Sequence, residues 1–143
     1  MEGKYFHQNY RACYDCLSEV GAIIHQAAEI AGLDERSTYQ VETAVDEACS
    51  NIIEHAYGGE DRGDIQLECF SLPGELKIII KDQGKPFNPE LIKAPSMDSP
   101  LEDRSDHGLG LFFMRRWMDS VHFDFSKDNG NTLTMIKKME HPS

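Results

Sequence analysis

The stretch VETAVDEACSNIIEHAY, residues 41–57, decides the reading of this chain. At about 100° per residue, Val41, Val45, Ala48 and Ile52 fall within one narrow stripe, the core face of an amphipathic helix. Glu47 and Asn51 are four residues apart, so they stack one above the other about a quarter turn from that stripe. They are expected to border the core without being buried in it. A carboxylate and a carboxamide held this way on a rigid element can polarise a water or hydroxyl. They can also hold a hard cation such as magnesium, which prefers oxygen ligands. The same pair also occurs as a plain solvated flank, so its meaning rests on the sequence around it.

Working outward, residues 14–31 repeat Leu17, Val20, Ile23, Ile24, Ala27, Ala28 and Ala31 at three- and four-residue spacing, a helix that Gly32 can end. Asp34 or Ser37 can cap the next helix, which runs through the central stretch and stops at Gly58-Gly59. Residues 5–10 allow an edge strand or an arm. Past Gly63, residues 65–71 and 76–82 alternate around Pro73-Gly74 and read as a β-hairpin.

The second of these strands ends in IIIKDQGKPF, leaving Asp82 and Gly84 at its carboxyl end, where sheets of α/β proteins present ligands. Asp82 there can accept from an exocyclic amine such as that of adenine, and Gly84 would let backbone approach a flat ring closely. Residues 85–107 contain Pro86, Pro89, Pro95 and Pro100 without periodicity and read as a lid, with Arg104 a cation able to meet a phosphate. His107-Gly108-Leu109-Gly110-Leu111 then opens a helix expected over 109–119. Glycines at a helix start leave amide donors open, at the end whose dipole favours a phosphate. Phe112, Phe113, Trp117 and Met118 are expected in the core. Residues 121–126 and 132–138 form a second hairpin around an Asn-Gly turn.

With 143 residues, 40% hydrophobic and 27% charged, the chain is expected to be a single globular domain over 1–143. A net charge of -11 with no basic run argues against nucleic acid. No apolar run approaches the ~20 residues of a membrane span and the N-terminus lacks a signal pattern, so a cytoplasmic protein is expected. Cys13-x-x-Cys16 lacks a second pair to complete a zinc site, and its flanks are not those of a thioredoxin-like motif. Both are read as ordinary thiols near a helix start, and Cys49 and Cys69 as semi-buried packing residues.

Taken together, E-x-x-x-N on a helix, D-x-G-x-P-F after a strand, a long lid and G-L-G-L opening a helix resemble the GHKL ATPases. The order and separation of these parts match over roughly residues 17–138. More narrowly, DEACSNIIEHAYGG, KDQGKPFNP, DHGLGLFFMRRWMDSV and GNTLTMIKK look like the bacterial anti-sigma factor serine kinases. Asp106-His107 stands where many of those have a further glycine.

The resemblance implies an α+β fold of the Bergerat type: a two-layer α/β sandwich with a mixed, mostly antiparallel sheet backed by helices. It implies ATP and Mg2+ as cofactors, Glu47 as general base and Asn51 as magnesium ligand. Asp82 would read the adenine amine, Gly84 would be the close-approach residue and Thr132 would complete the adenine end. Gly108, Leu109, Gly110 and Leu111 would wrap the phosphates. The implied reaction moves the ATP γ-phosphoryl to a serine or threonine of a STAS-domain anti-anti-sigma protein, releasing the kinase to hold its sigma factor. A homodimer is also implied. The alternative is an ATP-gated binding module without phosphotransfer.

Overall fold

The computed structural model describes residues 3–89, 106–126 and 130–139. In chain order the elements are β1 (Lys4–Arg11), a 3-10 turn (Tyr14–Cys16), α1 (Leu17–Ala31) and α2 (Glu35–Asn51), which a π-helical turn (Ile52–Ala56) continues. Then follow β2 (Asp64–Leu72), β3 (Glu75–Asp82), α3 (Asp106–Trp117), β4 (Ser120–Ser126) and β5 (Gly130–Lys138).

The five strands make one sheet in the order β1-β2-β3-β5-β4. Every pairing among the described residues is antiparallel, so the sheet is not mixed as expected. The reason lies in the connections: β2–β3 and β4–β5 are hairpins, and β5 inserts between β3 and β4 running against both. Residues 5–10 belong to an edge strand, paired with β2 alone.

Strand alternation sets the two layers. Ile65, Leu67 and Cys69 of β2, Leu76, Ile78 and Ile80 of β3, and Leu133 and Met135 of β5 are all buried on one face. Against them pack Val20, Ile24, Ala27, Ala28 and Ala31 of α1, and Val41, Val45, Ala48 and Ile52 of the central helix. Leu111, Met114 and Met118, spaced three and four apart, bring α3 and its end into the same core. Phe112 does not follow them: it is 55% exposed, because its position on α3 turns it away from that stripe.

Local chemistry ends each helix. Gly32 takes φ 87° at the end of α1, a left-handed conformation that side chains disfavour. Of the two candidate caps of α2, Asp34 is the one used, its carboxylate accepting from the Ser37 amide at 2.7 Å. At the other end Tyr57 N donates to Ile52 O at 3.0 Å, the wider π spacing. α3 already includes Asp106, three residues before the expected start. Cys13 and Cys16 form a disulfide rather than two free thiols, their Cα atoms 5.5 Å apart across the 3-10 turn. Cys49 and Cys69 are fully buried, and burial pushes both thiols up to about 12.

Ile78 sits at the centre of the sheet with no exposed surface. Truncating it leaves a cavity in the core between sheet and helices, so Ile78→Ala is expected to cost about 2–5 kcal/mol in urea unfolding. A loss below about 1 kcal/mol would mean that this strand is not the core of the domain.

Candidate functional site

The central helix carries Glu47 and Asn51 into different environments. Glu47 is half-buried, as its phase predicts, whereas Asn51 is only 3% exposed. The difference is tertiary: the ends of β3 and β5 and the body of α3 close over the flank that Asn51 occupies. Together they form a cavity floored by Ile80, Leu133 and Met114, rimmed by Phe87, Phe123 and Phe125, and made polar by Asn51, Asp82 and Asn131. Glu47 stands outside this lining, on the side of the helix that faces Tyr14. The Tyr14 hydroxyl is pushed up to about 12, first by desolvation, then by a hydrogen bond to Glu54 and by the charges of Glu54, Glu60 and Glu47.

Asp82 is 4% exposed at the last position of β3. Its Oδ1 accepts from the Gly84 amide at 2.9 Å and from Asn131 Nδ2 at 2.8 Å. Desolvation raises the pKa of this carboxyl, and the two donated hydrogen bonds pull against that rise. Asn131 Nδ2 also donates to Gly84 O at 3.1 Å. Because both neighbours are acceptors, only the NH2 end of Asn131 can face them, which settles the orientation of its amide. Its Oδ1 is left buried without a hydrogen-bond partner, and so is Asn51 Oδ1. Buried acceptors in this state call for a missing donor or cation. Two of them on the wall of one cavity, beside a buried carboxylate, suit a flat ring bearing an amine at the Asp82 end and a hard cation at Asn51.

Asn131 is the residue that sequence reasoning missed. Thr132 also borders the cavity, but it pairs with Lys81, whereas Asn131 lies directly opposite Asp82 in the β3–β5 register. Alternation places Asn131 on the buried face with Leu133 and Met135, and turns Thr132 away from it. Part of the signal was present: extending the alternation of the last strand back two positions from Leu133 puts an amide on the buried face, and the β3–β5 register then sets it beside Asp82.

Gly84 makes a close approach within the fold itself. A Cβ there would lie 2.7 Å from the carbonyl carbon, oxygen and Cβ of Ala56. Lys85 N donates to that same Ala56 carbonyl at 2.8 Å. The close approach that glycine permits is therefore to the π-helical end of the central helix. It clips the loop after Asp82 onto the element that bears Glu47 and Asn51. Tyr57 adds a second clip, its hydroxyl donating to Asp64 O at 2.7 Å and accepting from Gln83 N at 2.9 Å.

Gly108, Leu109, Gly110 and Leu111 all lie within α3. Leu111 is 7% exposed and packs in the core. Arg104 and most of the expected lid lie outside the described residues. No cluster of three or more His, Cys, Asp or Glu side chains suited to a metal occurs among the described residues. Nor is any described helix long and apolar enough to cross a membrane.

Comparison with known proteins gives a consistent match. The model of the histidine kinase-like ATPase domain matches residues 11–137. The serine-protein kinase RsbW of Halalkalibacterium halodurans is 29% identical over 121 residues, covering 78% of this chain and 72% of that protein. RsbW of Bacillus mycoides is 33% identical over 101 residues, 68% of this chain and 61% of that protein. An anti-sigma F factor of Clostridium novyi is 28% identical over 125 residues, 86% of this chain and 87% of that protein. Several of the RsbW proteins are matched over only about 60% of their own length. Among solved structures, one containing the RsbU and RsbW domains of a Mycobacterium tuberculosis protein superposes with a TM-score of 0.67 over 98% of this chain and 34% of that one, at 17% identity. That likeness is one of fold.

The raised pKa of Asp82 sets a sign. The folded chain holds this proton to higher pH than the unfolded chain, whose carboxyl titrates near the ordinary value of 3.8. Asp82 therefore makes stability fall as pH rises from there through its folded pKa. Asp82→Asn keeps the acceptor for Asn131 and Gly84 and removes that proton. Urea unfolding from about pH 4 to pH 7 is expected to show a flatter profile for the variant, with stability at neutral pH no lower than wild type. An unchanged slope would assign the titration to another group.

Proposed function

The chain belongs to the histidine kinase-like ATPase family, and from that membership we propose that it is an ATP- and magnesium-dependent protein serine kinase of the anti-sigma type. Its substrate is a serine or threonine of a STAS-domain anti-anti-sigma partner, and in its nucleotide-bound form it sequesters a sigma factor. The relatives named serine-protein kinase and anti-sigma F factor support this reading. The observation that carries it is the pair of unpartnered buried oxygens, Asn51 Oδ1 and Asn131 Oδ1, on a cavity that the buried Asp82 also lines.

The roles follow from chemistry. Asp82, held by Asn131 and the Gly84 amide, accepts from the exocyclic amine of adenine, while Phe87, Phe123 and Phe125 enclose the ring edge. Phosphates meet the open amides at the start of α3, at the positive end of its dipole. Asn51 supplies an oxygen ligand to magnesium, which when bound neutralises charge developing on the phosphates. Glu47 takes the proton of the entering hydroxyl. The serine oxygen then bonds to the γ-phosphorus as the bond from that phosphorus to the bridging oxygen breaks, with ADP leaving. Little else is asked of the protein, since this transfer is governed by positioning.

Glu47→Gln is expected to bind ATP as wild type does and to lose transfer of labelled phosphate to a STAS-domain protein by about a hundred- to ten-thousand-fold. Transfer that survives this change would leave an ATP-gated binding module as the function. Asn51→Ala is expected to abolish the magnesium-dependent part of ATP binding in calorimetry. Equal magnesium dependence in both proteins would remove Asn51 from the metal's coordination.

A further inference from the structure

Lys137 lies on the buried face of β5, two positions beyond Met135, and is only 5% exposed. A cation inside a core costs several kcal/mol unless it is hydrogen-bonded, and its stem alone would have satisfied the packing. Its Nζ donates to Gln40 Oε1 of α2 at 3.0 Å and to the backbone carbonyl of Trp117, the last residue of α3. The second acceptor is the negative end of a helix dipole, where a cation is favoured. One side chain thus joins the sheet, the central helix and the end of α3.

Further polar attachments follow directly after α3. Asp119 N donates to Ile136 O at 2.9 Å, and Asp119 Oδ2 accepts from Lys138 N at 2.7 Å. Along the helix, Leu111, Met114 and Met118 add apolar contact. Apolar contact is non-directional, so it presses a helix onto its neighbours without setting its position along its own axis. Hydrogen bonds at one end do set it. A helix of 12 residues is a rod about 18 Å long, so a shift at Trp117 reappears at its first turn.

We propose that Lys137 is a positioning residue for the phosphate end of the nucleotide site. It latches the C-terminus of α3 to Gln40 and β5, so that the glycine-bearing first turns of the helix stand where the triphosphate lies. This rests on the kinase reading and assigns to it a residue at the far end of the helix from the chemistry. The molecule also carries a reporter. Trp117 is the only tryptophan in the chain, stacked on Phe113 at 4.8 Å between ring centroids and 6.3 Å from Tyr39 of α2.

The test compares wild type, Lys137→Met, Lys137→Arg and Gln40→Leu for binding of ATP and of adenosine by calorimetry, with Trp117 emission followed in the same titrations. Wild type is expected to shift its emission with ATP. Lys137→Met is expected to lose about tenfold in ATP affinity, to keep adenosine affinity within about twofold and to lose the emission shift. Lys137→Arg, which retains a cation and donors, recovers part of the ATP affinity. A role confined to stability would weaken ATP and adenosine by the same factor, and that outcome overturns the proposal, as does an unchanged ATP affinity. Should Lys137→Met fail to fold, Gln40→Leu leaves the bond to Trp117 intact and must show the same selective loss in smaller measure. Failure of wild type to bind ATP at all would instead sink the kinase reading itself.

Discussion

The constraint on which the site depends is the burial of a carboxylate at the end of β3. Asp82 stands almost fully removed from water, and it is tolerated there because the Gly84 amide and Asn131 Nδ2 both donate to it. Each donor is delivered by a different piece of the fold. The first comes from the turn that immediately follows the strand. The second comes from β5, placed opposite Asp82 by a register that runs without a break from Glu75–Lys138 to Asp82–Asn131. A one-residue slip of that pairing would turn Asn131 to the other face and leave the carboxylate with a single donor.

The central helix then has to meet this buried carboxylate without covering it. Its apolar stripe seats it on the sheet, and its last turn widens into a π-helix just where it reaches the loop after Asp82. That widening presents the Ala56 carbonyl to Lys85 N, and only a residue without a Cβ can occupy position 84 beside it. Asn51 lies one residue before the π turn, so the same irregularity that clips the loop also sets the end of the cavity that Asn51 lines. Cavity geometry and helix termination are here one feature.

Polar residues on the inner face of the sheet follow a common pattern. Ser71 donates to Ala27 O of α1 at 2.7 Å, and Lys137 joins α2 and the end of α3. Asp82 and Asn131 bond to one another and to Gly84. Each marks a place where a helix or loop is fixed in position on the sheet, which an entirely apolar interface would not do. The pair at the cavity differs from the others in keeping an acceptor, Asn131 Oδ1, without a partner.

Periodicity alone located the two long helices, both hairpins and the residues that face the core. These follow from local backbone geometry and the burial of apolar surface, which a linear sequence expresses directly. Glu47 and Asn51 on one helix and Asp82 and Gly84 after a strand were legible for the same reason. Tertiary structure decided what spacing along one element cannot contain. It buried Asn51 under neighbouring strands, gave Asp82 the partner Asn131, and set Gly84 against Ala56. It also joined Cys13 to Cys16 and placed Lys137 at the foot of α3. All five depend on register between strands or on contacts between segments distant in sequence or meeting across a turn. A hydrogen bond between residues 49 positions apart leaves no periodic trace in the chain that makes it.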